Sequence, residues 1–385
     1  MRTERDLRGR AAVVGVGEWG CGHTPGFSPL EIMAESAKAA LDDAGLKLSD
    51  VDGFFTGSAY HFMPTLTAAE YLGIHPRYSD GNMVGGSSFV AHALHAAAAL
   101  DAGLCDVALV CYGSSQRSDG GRLVSMSEPQ PHERIYQPRP PVTAYALAAS
   151  RHMHQFGTTR EQLAAVAVAA RGWANLNPAA FARGPLTIED VMGAQMISDP
   201  LTSRDCCLVT DGGGAFVMVR ADRAKDLPNK PVYLLGGASE LSHRTIAQMP
   251  ALTVTGAKRS GERAYAMAGM KPSDMDVLAL YDAFTINTIL FLEDLGFCPK
   301  GEGGRFVESG AIAPGGSLAV NTNGGGLSCV HPGMYGIFLV IEAVRQLRGG
   351  CGDRQVAKAE TALVHGNGGT LSSQVTTIFG TEATL

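Results

Sequence analysis

Apolar and polar positions follow one another in blocks along this chain. AAVVGVG (11–17) is a short continuous apolar run and reads as a buried strand. SPLEIMAESAKAALDDAG (28–45) places apolar residues at helical spacing and stops at Gly45, a residue type that ends helices in the left-handed conformation. VDGFFTGS (51–58) returns as a strand. FVAHALHAAAALDAG (89–103) is an Ala-rich helix with almost no charge, the pattern of a helix buried on all sides, and DVALVCYGS (106–114) is a further strand. Strand and helix alternate, which predicts an α/β sheet with helices on its faces.

The same order begins again near KPVYLLGGASE (230–240). It continues with a helix through Glu262 to Gly269, the strand DVLALYDAF (276–284), the helix YGIFLVIEAVRQLRG (335–349) and the strand ETALVHGNGG (360–369). One helix-to-strand corner, AGLKLSDVD at 44–52, recurs as AGMKPSDMD at 268–276 with six of nine residues identical. With 385 residues to place, more than one small core usually holds, the repeat argues for a duplicated half, 1–225 and 226–385.

Residues 115–200 interrupt the first half. They include a polar, Pro-rich stretch, SEPQPHERIYQPRPP (127–141), and the helical patterns TAYALAASRHMHQFG and TREQLAAVAVAARGWANLN, the second starting at Thr159 and Glu161. Insertions over a sheet face commonly cover a substrate. The chain then returns through CCLVTDGGGAFVMVR (206–220), read as a strand fronted by a glycine corner.

Composition narrows the partners. A net charge of −6 with no run of Lys or Arg speaks against tracking a nucleic acid. No stretch of about 18 apolar residues is present, so no membrane-spanning helix is expected. The opening MRTERDLRGRAAVVGVGEW lacks the long apolar core of a secretory signal, and eight cysteines without framework spacing read as reduced thiols, so a cytoplasmic location is expected. Cys206 and Cys207 cannot form a C-x-x-C clamp, and no metal site is expected. Gly15, Gly17 and Gly20 satisfy G-x-G-x-x-G, but the motif runs into CGHTPGFSP instead of a helix, so a dinucleotide reading is set aside.

Candidate chemistry sits in four glycine-rich turns, Asn82 to Ser88, Asp211 to Gly214, Asn321 to Gly336 and His365 to Gly369. Such turns converge backbone N–H groups, as an oxyanion requires, and two of them carry His331 and His365. His92 and His95 on the Ala-rich helix read as core or interface residues, and Cys206 and Cys207 as packing in a dimer-side strand.

On MHQFGTTREQLAAVAVAARGWANLNPAAF, CCLVTDGGGAFVMV and NTNGGGLSCVHPGMYG the chain resembles the thiolase superfamily, and particularly its sterol carrier protein-type branch. The resemblance runs from the first strand to the last. It implies a five-layer αβαβα fold from two five-stranded halves, a loop domain inserted in the first, and a homodimer. In that family a cysteine three residues after an Asn starts the buried first-half helix and takes the acyl group. Here Asn82 is followed by Met83, Val84 and Gly85, so the nucleophile position has no thiol. The N-E-A-F motif stands as Tyr281, Asp282, Ala283 and Phe284; the G-H-P motif keeps His331 and Pro332, followed by Gly333, Met334 and Tyr335; the second cysteine aligns with His365.

Loss of both thiols makes the chain similar to the cysteine-lacking thiolase-like aldolases that shorten steroid side chains as coenzyme A thioesters, with a small OB-fold or zinc-ribbon partner. The expectation is retro-aldol cleavage of a bulky β-hydroxyacyl-CoA, coenzyme A being part of the substrate and no cofactor permanently bound. Tyr281 and Tyr335 are then the acid/base candidates, which requires neighbours to lower a phenol pKa from about 10. His331 and His365 would polarise the thioester or relay a proton, and Gly85, Gly86, Asp282, Asn321, Gly368 and Gly369 would line the substrate and oxyanion region. Two alternatives stay open: an acyltransferase that recruits Cys329 or a partner's thiol, and a non-catalytic subunit that binds coenzyme A esters.

Overall fold

The computed structural model describes residues 7–120 and 132–385; the N-terminal six residues and positions 127–131 of the Pro-rich stretch lie outside them. The first half runs β1 (Ala11–Gly22), α1 (Pro29–Ala44), β2 (Gly53–Thr56), α2 (Pro64–Leu72), β3 (Tyr78–Asp80), α3 (Ser88–Asp101) and β4 (Val107–Ser114). The insertion carries α4 (Val142–Phe156), α5 (Arg160–Asn175), α6 (Ile188–Met192), β5 (Met196–Ser198) and β6 (Leu201–Thr202), before β7 (Asp211–Arg220) and the short α7 (Ala221–Ala224) close the half. The second half runs β8 (Val232–Leu241), α8 (Ala257–Ala268), β9 (Val277–Leu280), α9 (Thr285–Asp294), α10 (Gly303–Glu308), β10 (Ala319–Val320), α11 (Gly336–Arg348), β11 (Thr361–Gly368) and β12 (Ser373–Gly380).

The strands lie in the order β10-β9-β11-β12-β8-β1-β7-β4-β2-β3. Outward from the centre, β1-β7-β4-β2-β3 and β8-β12-β11-β9-β10 are the same arrangement, each with two antiparallel pairings followed by two parallel ones. The two sets of strands meet where β1 pairs β8, at Ala12 with Tyr233 and Val13 with Val232. Helices α3 and α11 touch strands of both halves, whereas α1 packs on β1, β4 and β7 and α8 on β8 and β12. The layers are therefore helix, sheet, helix, sheet, helix. A central helix faces apolar surface on two sides, which is why α3 is built almost wholly from Ala and apolar residues.

The repeated corner has a physical role. Helices α1 and α8 end on Gly45 (φ 68°) and Gly269 (φ 66°), the left-handed conformation that glycine adopts without strain. In each copy the Asp carboxylate three residues after Lys accepts that Lys N–H, Lys47 to Asp50 at 2.8 Å and Lys271 to Asp274 at 2.9 Å. The last Asp then receives the start of the neighbouring strand. Asp52 Oδ1 accepts Asp106 N–H and Val107 N–H, both at 2.8 Å, and Asp276 Oδ2 accepts Glu360 N–H at 2.8 Å and Thr361 N–H at 3.0 Å. Asp52→Ala is expected to cost roughly 1–3 kcal/mol. Urea unfolding tests this: the midpoint should fall with the slope unchanged, and an unmoved midpoint would remove the anchoring role.

Two sequence expectations change, both in the segment 206–220, while the glycines set aside as a dinucleotide motif have a packing role. The glycines of the G-x-G-x-x-G match lie inside β1, where a Cβ at Gly15 or Gly17 would overlap the Ala40 backbone, so they seat α1 on the strand. The segment 206–220 is a strand only from Asp211, so Asp211 to Gly214 is a strand start and not a turn. Residues 205–210 cross to the second half, with Thr285 N–H donating to Asp205 O (3.0 Å), Cys207 N–H to Ala283 O (2.8 Å) and Leu208 N–H to Gly326 O (2.9 Å). These bonds place Cys206 and Cys207 against the turn after β9 and not in a dimer-side strand. Among the described residues no helix is long and apolar enough to cross a membrane, and no group of three or more His, Cys, Asp or Glu could hold a metal ion.

Candidate active site

Tyr281 leaves the end of β9 beside β11, its N–H donating to His365 O at 3.0 Å. Its ring crosses to the start of α3 and lies on Gly86. A Cβ at Gly86 would fall within the Tyr281 ring, so the phenol occupies the space a residue-86 side chain would take. Gly85 adopts φ 74°, and a Cβ there would stand 2.8 Å from Gly369 N and 3.0 Å from Gly368 Cα. The turn after β11 thus fills the position of the absent side chain at 85.

Tyr281 Oη lies 3.1 Å from His331 Nε2 and accepts Tyr335 N–H at 3.0 Å. His331 is fixed by Thr210, whose hydroxyl accepts His331 N–H at 3.0 Å. Burial lowers the imidazole pKa to about 4, so the ring is neutral at pH 7. Nε2 is the ring nitrogen that faces the phenol, and the neutral tautomer with its proton on Nδ1 lets Nε2 accept from it. Tyr281 Oη therefore donates to His331, with the Gly333 carbonyl a longer alternative acceptor at 3.5 Å, accepts once and keeps one lone pair free.

The sequence expectation that neighbours lower the tyrosine pKa values is corrected. Desolvation raises Tyr281 well above the usual phenol value, outweighing the Tyr335 N–H, and raises Tyr335 likewise. Both phenols stand protonated. Tyr335 also turns its hydroxyl elsewhere: it donates to Asn323 Oδ1 at 3.1 Å, while its ring lies nearly parallel to His331 (24°) and Phe338 (14°). What Tyr335 presents to Tyr281 is its backbone N–H.

His365 is not brought to this cluster. Successive strand residues face opposite ways. On β11, Gly366 and Gly368 back onto Val84, Ser87 and Val90 at the start of α3, so His365 and Asn367 face away from it. The His365 ring meets Phe291 (4.5 Å between centroids), Thr376 Oγ1 (2.9 Å) and Gln374 Oε1 (2.8 Å). Asp282 and Asn321 are close by but committed. Asp282 accepts Gly326 N–H (2.7 Å) and Leu327 N–H (3.3 Å), and burial raises its carboxyl pKa to about 7 despite them. Asn321 Oδ1 accepts Leu280 N–H at 2.7 Å. Both are struts of the turn that carries His331.

Access lies on the side of Gly85 and Cys207, which are half-buried, and of Met83 and Gly369, which are exposed. Cys207 and Tyr145 border Tyr281 there, and neither stood out in the sequence as a site residue. Cys329 is buried, accepts from Asn177 Nδ2 at 3.6 Å and has its thiol pKa pushed well up by burial; burial pushes up Cys207 as well. Thiols so held are poor nucleophiles.

Acid stability follows from the buried imidazoles. His92, His331 and His365 are each lowered to about 4 by burial, so between pH 6.5 and 4 the unfolded chain binds three protons that the folded chain does not. Asp282, raised to about 7, binds one proton in the folded state over the same window and offsets one of the three. The net of about two protons makes stability fall by about 2–3 kcal/mol per pH unit on acidification through that window. Denaturant melts at pH 6.5, 5.5 and 4.5 check this, and a flat profile would contradict it.

Comparison with known proteins identifies the family of the chain. Residues 238–381 match the family model described as thiolase C-terminal domain-like. The chain is 33% identical to an acetyl-CoA acetyltransferase of Methanothermobacter thermautotrophicus over 96% of its own length and 98% of the relative's. It is 36% identical to the 17-hydroxy-3-oxo-4-pregnene-20-carboxyl-CoA lyase of Mycobacterium tuberculosis, over 89% and 92%. Among solved structures, the Ltp2-ChsH2(DUF35) aldolase superposes with a TM-score of 0.88 at 32% identity, covering 98% of this chain and 100% of that one. The fold and these relatives define an enzyme of the thiolase type. The chain belongs to the thiolase superfamily, within its sterol carrier protein-type, thiolase-like branch.

Proposed function

We propose that this enzyme cleaves a β-hydroxyacyl-CoA by a retro-aldol reaction, with no acyl-cysteine intermediate. The observation that carries the reading is the Tyr281 phenol, standing in the side-chain space of Gly86 and joined to a neutral His331, where Gly85 offers no thiol.

The substrate β-hydroxyl donates to the free lone pair of Tyr281 Oη. As the Cα–Cβ bond breaks, that proton passes to Tyr281 and the phenol's own proton passes to His331 Nε2, so no free phenolate forms in the buried site. The β-carbon leaves as a ketone or aldehyde. The bonding pair becomes a thioester enolate, whose oxygen is held by backbone N–H groups at the start of α3 and the Gly368–Gly369 turn. Return of the proton through Tyr281 to the α-carbon completes the cycle. A bulky steroid or aromatic side-chain thioester, a small DUF35-type partner subunit and a homodimer complete the proposal; the lyase relative supports a steroid-like thioester and the Ltp2-ChsH2(DUF35) aldolase supports the partner subunit. The acetyltransferase relative keeps acyl transfer in view, but the deeply buried Cys329 argues against it here.

The test is cleavage in D2O by the purified chain, with its partner subunit if needed. One carbonyl product and one shortened acyl-CoA bearing a single α-deuterium are expected per turnover. No carbonyl product from any β-hydroxyacyl-CoA, alone or in complex, would overturn the proposal. Tyr335→Phe keeps the ring and the N–H that Tyr281 uses, so turnover within about tenfold of wild type is expected. A loss of a thousandfold would give the Tyr335 hydroxyl a direct part.

A further inference from the structure

A buried polar chain runs from α8 to the Gly368–Gly369 turn. Ser260 Oγ meets Thr376 Oγ1 at 2.8 Å, Thr376 meets His365 Nδ1 at 2.9 Å, and His365 Nε2 meets Gln374 Oε1 at 2.8 Å. Gln374 Nε2 donates to Asn367 Oδ1 at 2.8 Å, Asn367 Nδ2 donates to Tyr145 Oη at 2.8 Å, and Tyr145 Oη donates to Gly369 O at 3.0 Å. Each of these side chains is fully or almost fully buried.

The chain has one direction. Gln374 Oε1 can only accept, so His365 Nε2 carries the proton and Nδ1 accepts from Thr376. From His365 onward every group receives from one neighbour and donates to the next, ending on a single backbone carbonyl. Such aligned bonds polarise one another, and in a buried site a break leaves a polar atom unpaired at a cost. This explains why a histidine outside the catalytic cluster is buried and neutral.

The terminal member, Tyr145, comes from the insertion. Helix α4 reaches the second half with two residues seven apart on one face: Tyr145, stacked on Phe284 at 4.3 Å, and His152, 3.1 Å from Glu293. The carbonyl that Tyr145 holds belongs to Gly369, whose N lies 2.8 Å from the Cβ position of Gly85.

We propose that Tyr145 is a positioning residue, which fixes the Gly368–Gly369 turn against the start of α3 and so sets the donors that hold the thioester enolate. The inference rests on the retro-aldol reading for its kinetic effect. Its structural part, that the hydroxyl orders the turn, stands apart from it.

Tyr145→Phe removes only the hydroxyl. Expected are a kcat lower by about 10- to 100-fold, a KM for the thioester within about threefold of wild type, and faster hydrogen exchange confined to residues 368–372. Asn367→Asp provides a second route. It still accepts from Gln374, but its carboxylate takes the Tyr145 proton away from Gly369, so it should match Tyr145→Phe, and the double variant should be no worse than either. If Tyr145→Phe fails to fold, Asn367→Asp carries the same readouts. An unchanged kcat with unchanged exchange at 368–372 would overturn the inference, as would a loss of kcat matched by faster exchange throughout the chain. Should the wild type cleave no β-hydroxyacyl-CoA, the function falls, while exchange at 368–372 still decides the role of Tyr145.

Discussion

Tyr281→Phe is expected to lower kcat/KM for β-hydroxyacyl-CoA cleavage by about 10²- to 10⁴-fold, the range lost with a general acid/base group. The substitution removes one oxygen and leaves the ring over Gly86. That oxygen is the bridge between the substrate hydroxyl and His331 Nε2, 3.1 Å away, and the nearby phenols are committed elsewhere, the Tyr335 hydroxyl to Asn323 and the Tyr145 hydroxyl to Gly369. His331 Nε2 and Tyr335 N–H lose their partner too, so a stability loss of roughly 1–3 kcal/mol should accompany the change. The two effects are separated by working well below the melting temperature and measuring thioester affinity, which should stay within a few-fold. Turnover within tenfold of wild type would take Tyr281 out of the chemistry.

Gly86→Ala should be at least as damaging, through space and not through chemistry. The added methyl falls inside the Tyr281 ring, and the Gly86 carbonyl lies so near Gly336 that a Cβ there would overlap it, which leaves this backbone little room to shift. The ring must leave, taking the phenol away from His331 and from Tyr335 N–H. Overpacking of this kind costs about 1–3 kcal/mol of stability, and the cleavage rate should fall at least to that of Tyr281→Phe. Gly85→Cys, which places a thiol at the start of this turn, should give no acyl transfer. It forces φ 74° on a residue with a Cβ, which would stand 2.8 Å from Gly369 N. Full activity in Gly86→Ala would show that the ring position does not matter, and an acyl adduct on Gly85→Cys would show that the turn can move aside.

The halves and their order were legible because apolar periodicity and the corner at 44–52 and 268–276 are local signals. Helix α9 was not. All ten of its residues are buried, so TINTILFLED offers no polar face against which a helical period can be read. Tyr281 and His331 were found through motif positions, and the structure does bring them together. His365 sat in an equally suggestive motif, yet its side-chain direction depends on which face of β11 it takes, a consequence of pairing with β9 and β12 that one segment cannot encode. The Tyr335 hydroxyl failed for a similar reason, since its bond to Asn323 depends on how the 321–336 turn folds back. Tyr145 and Thr210 reach the site from distant parts of the chain, and only tertiary packing reveals them.

The most direct measurement is intact-mass analysis of the protein quenched during steady-state turnover of a β-hydroxyacyl-CoA, read alongside the released products. An unmodified chain mass, with ketone or aldehyde and shortened acyl-CoA in equal amounts, is the expected result. A chain carrying an acyl group on Cys207, Cys329 or any other thiol, at a level that rises and falls with turnover, would contradict cleavage by proton transfer alone.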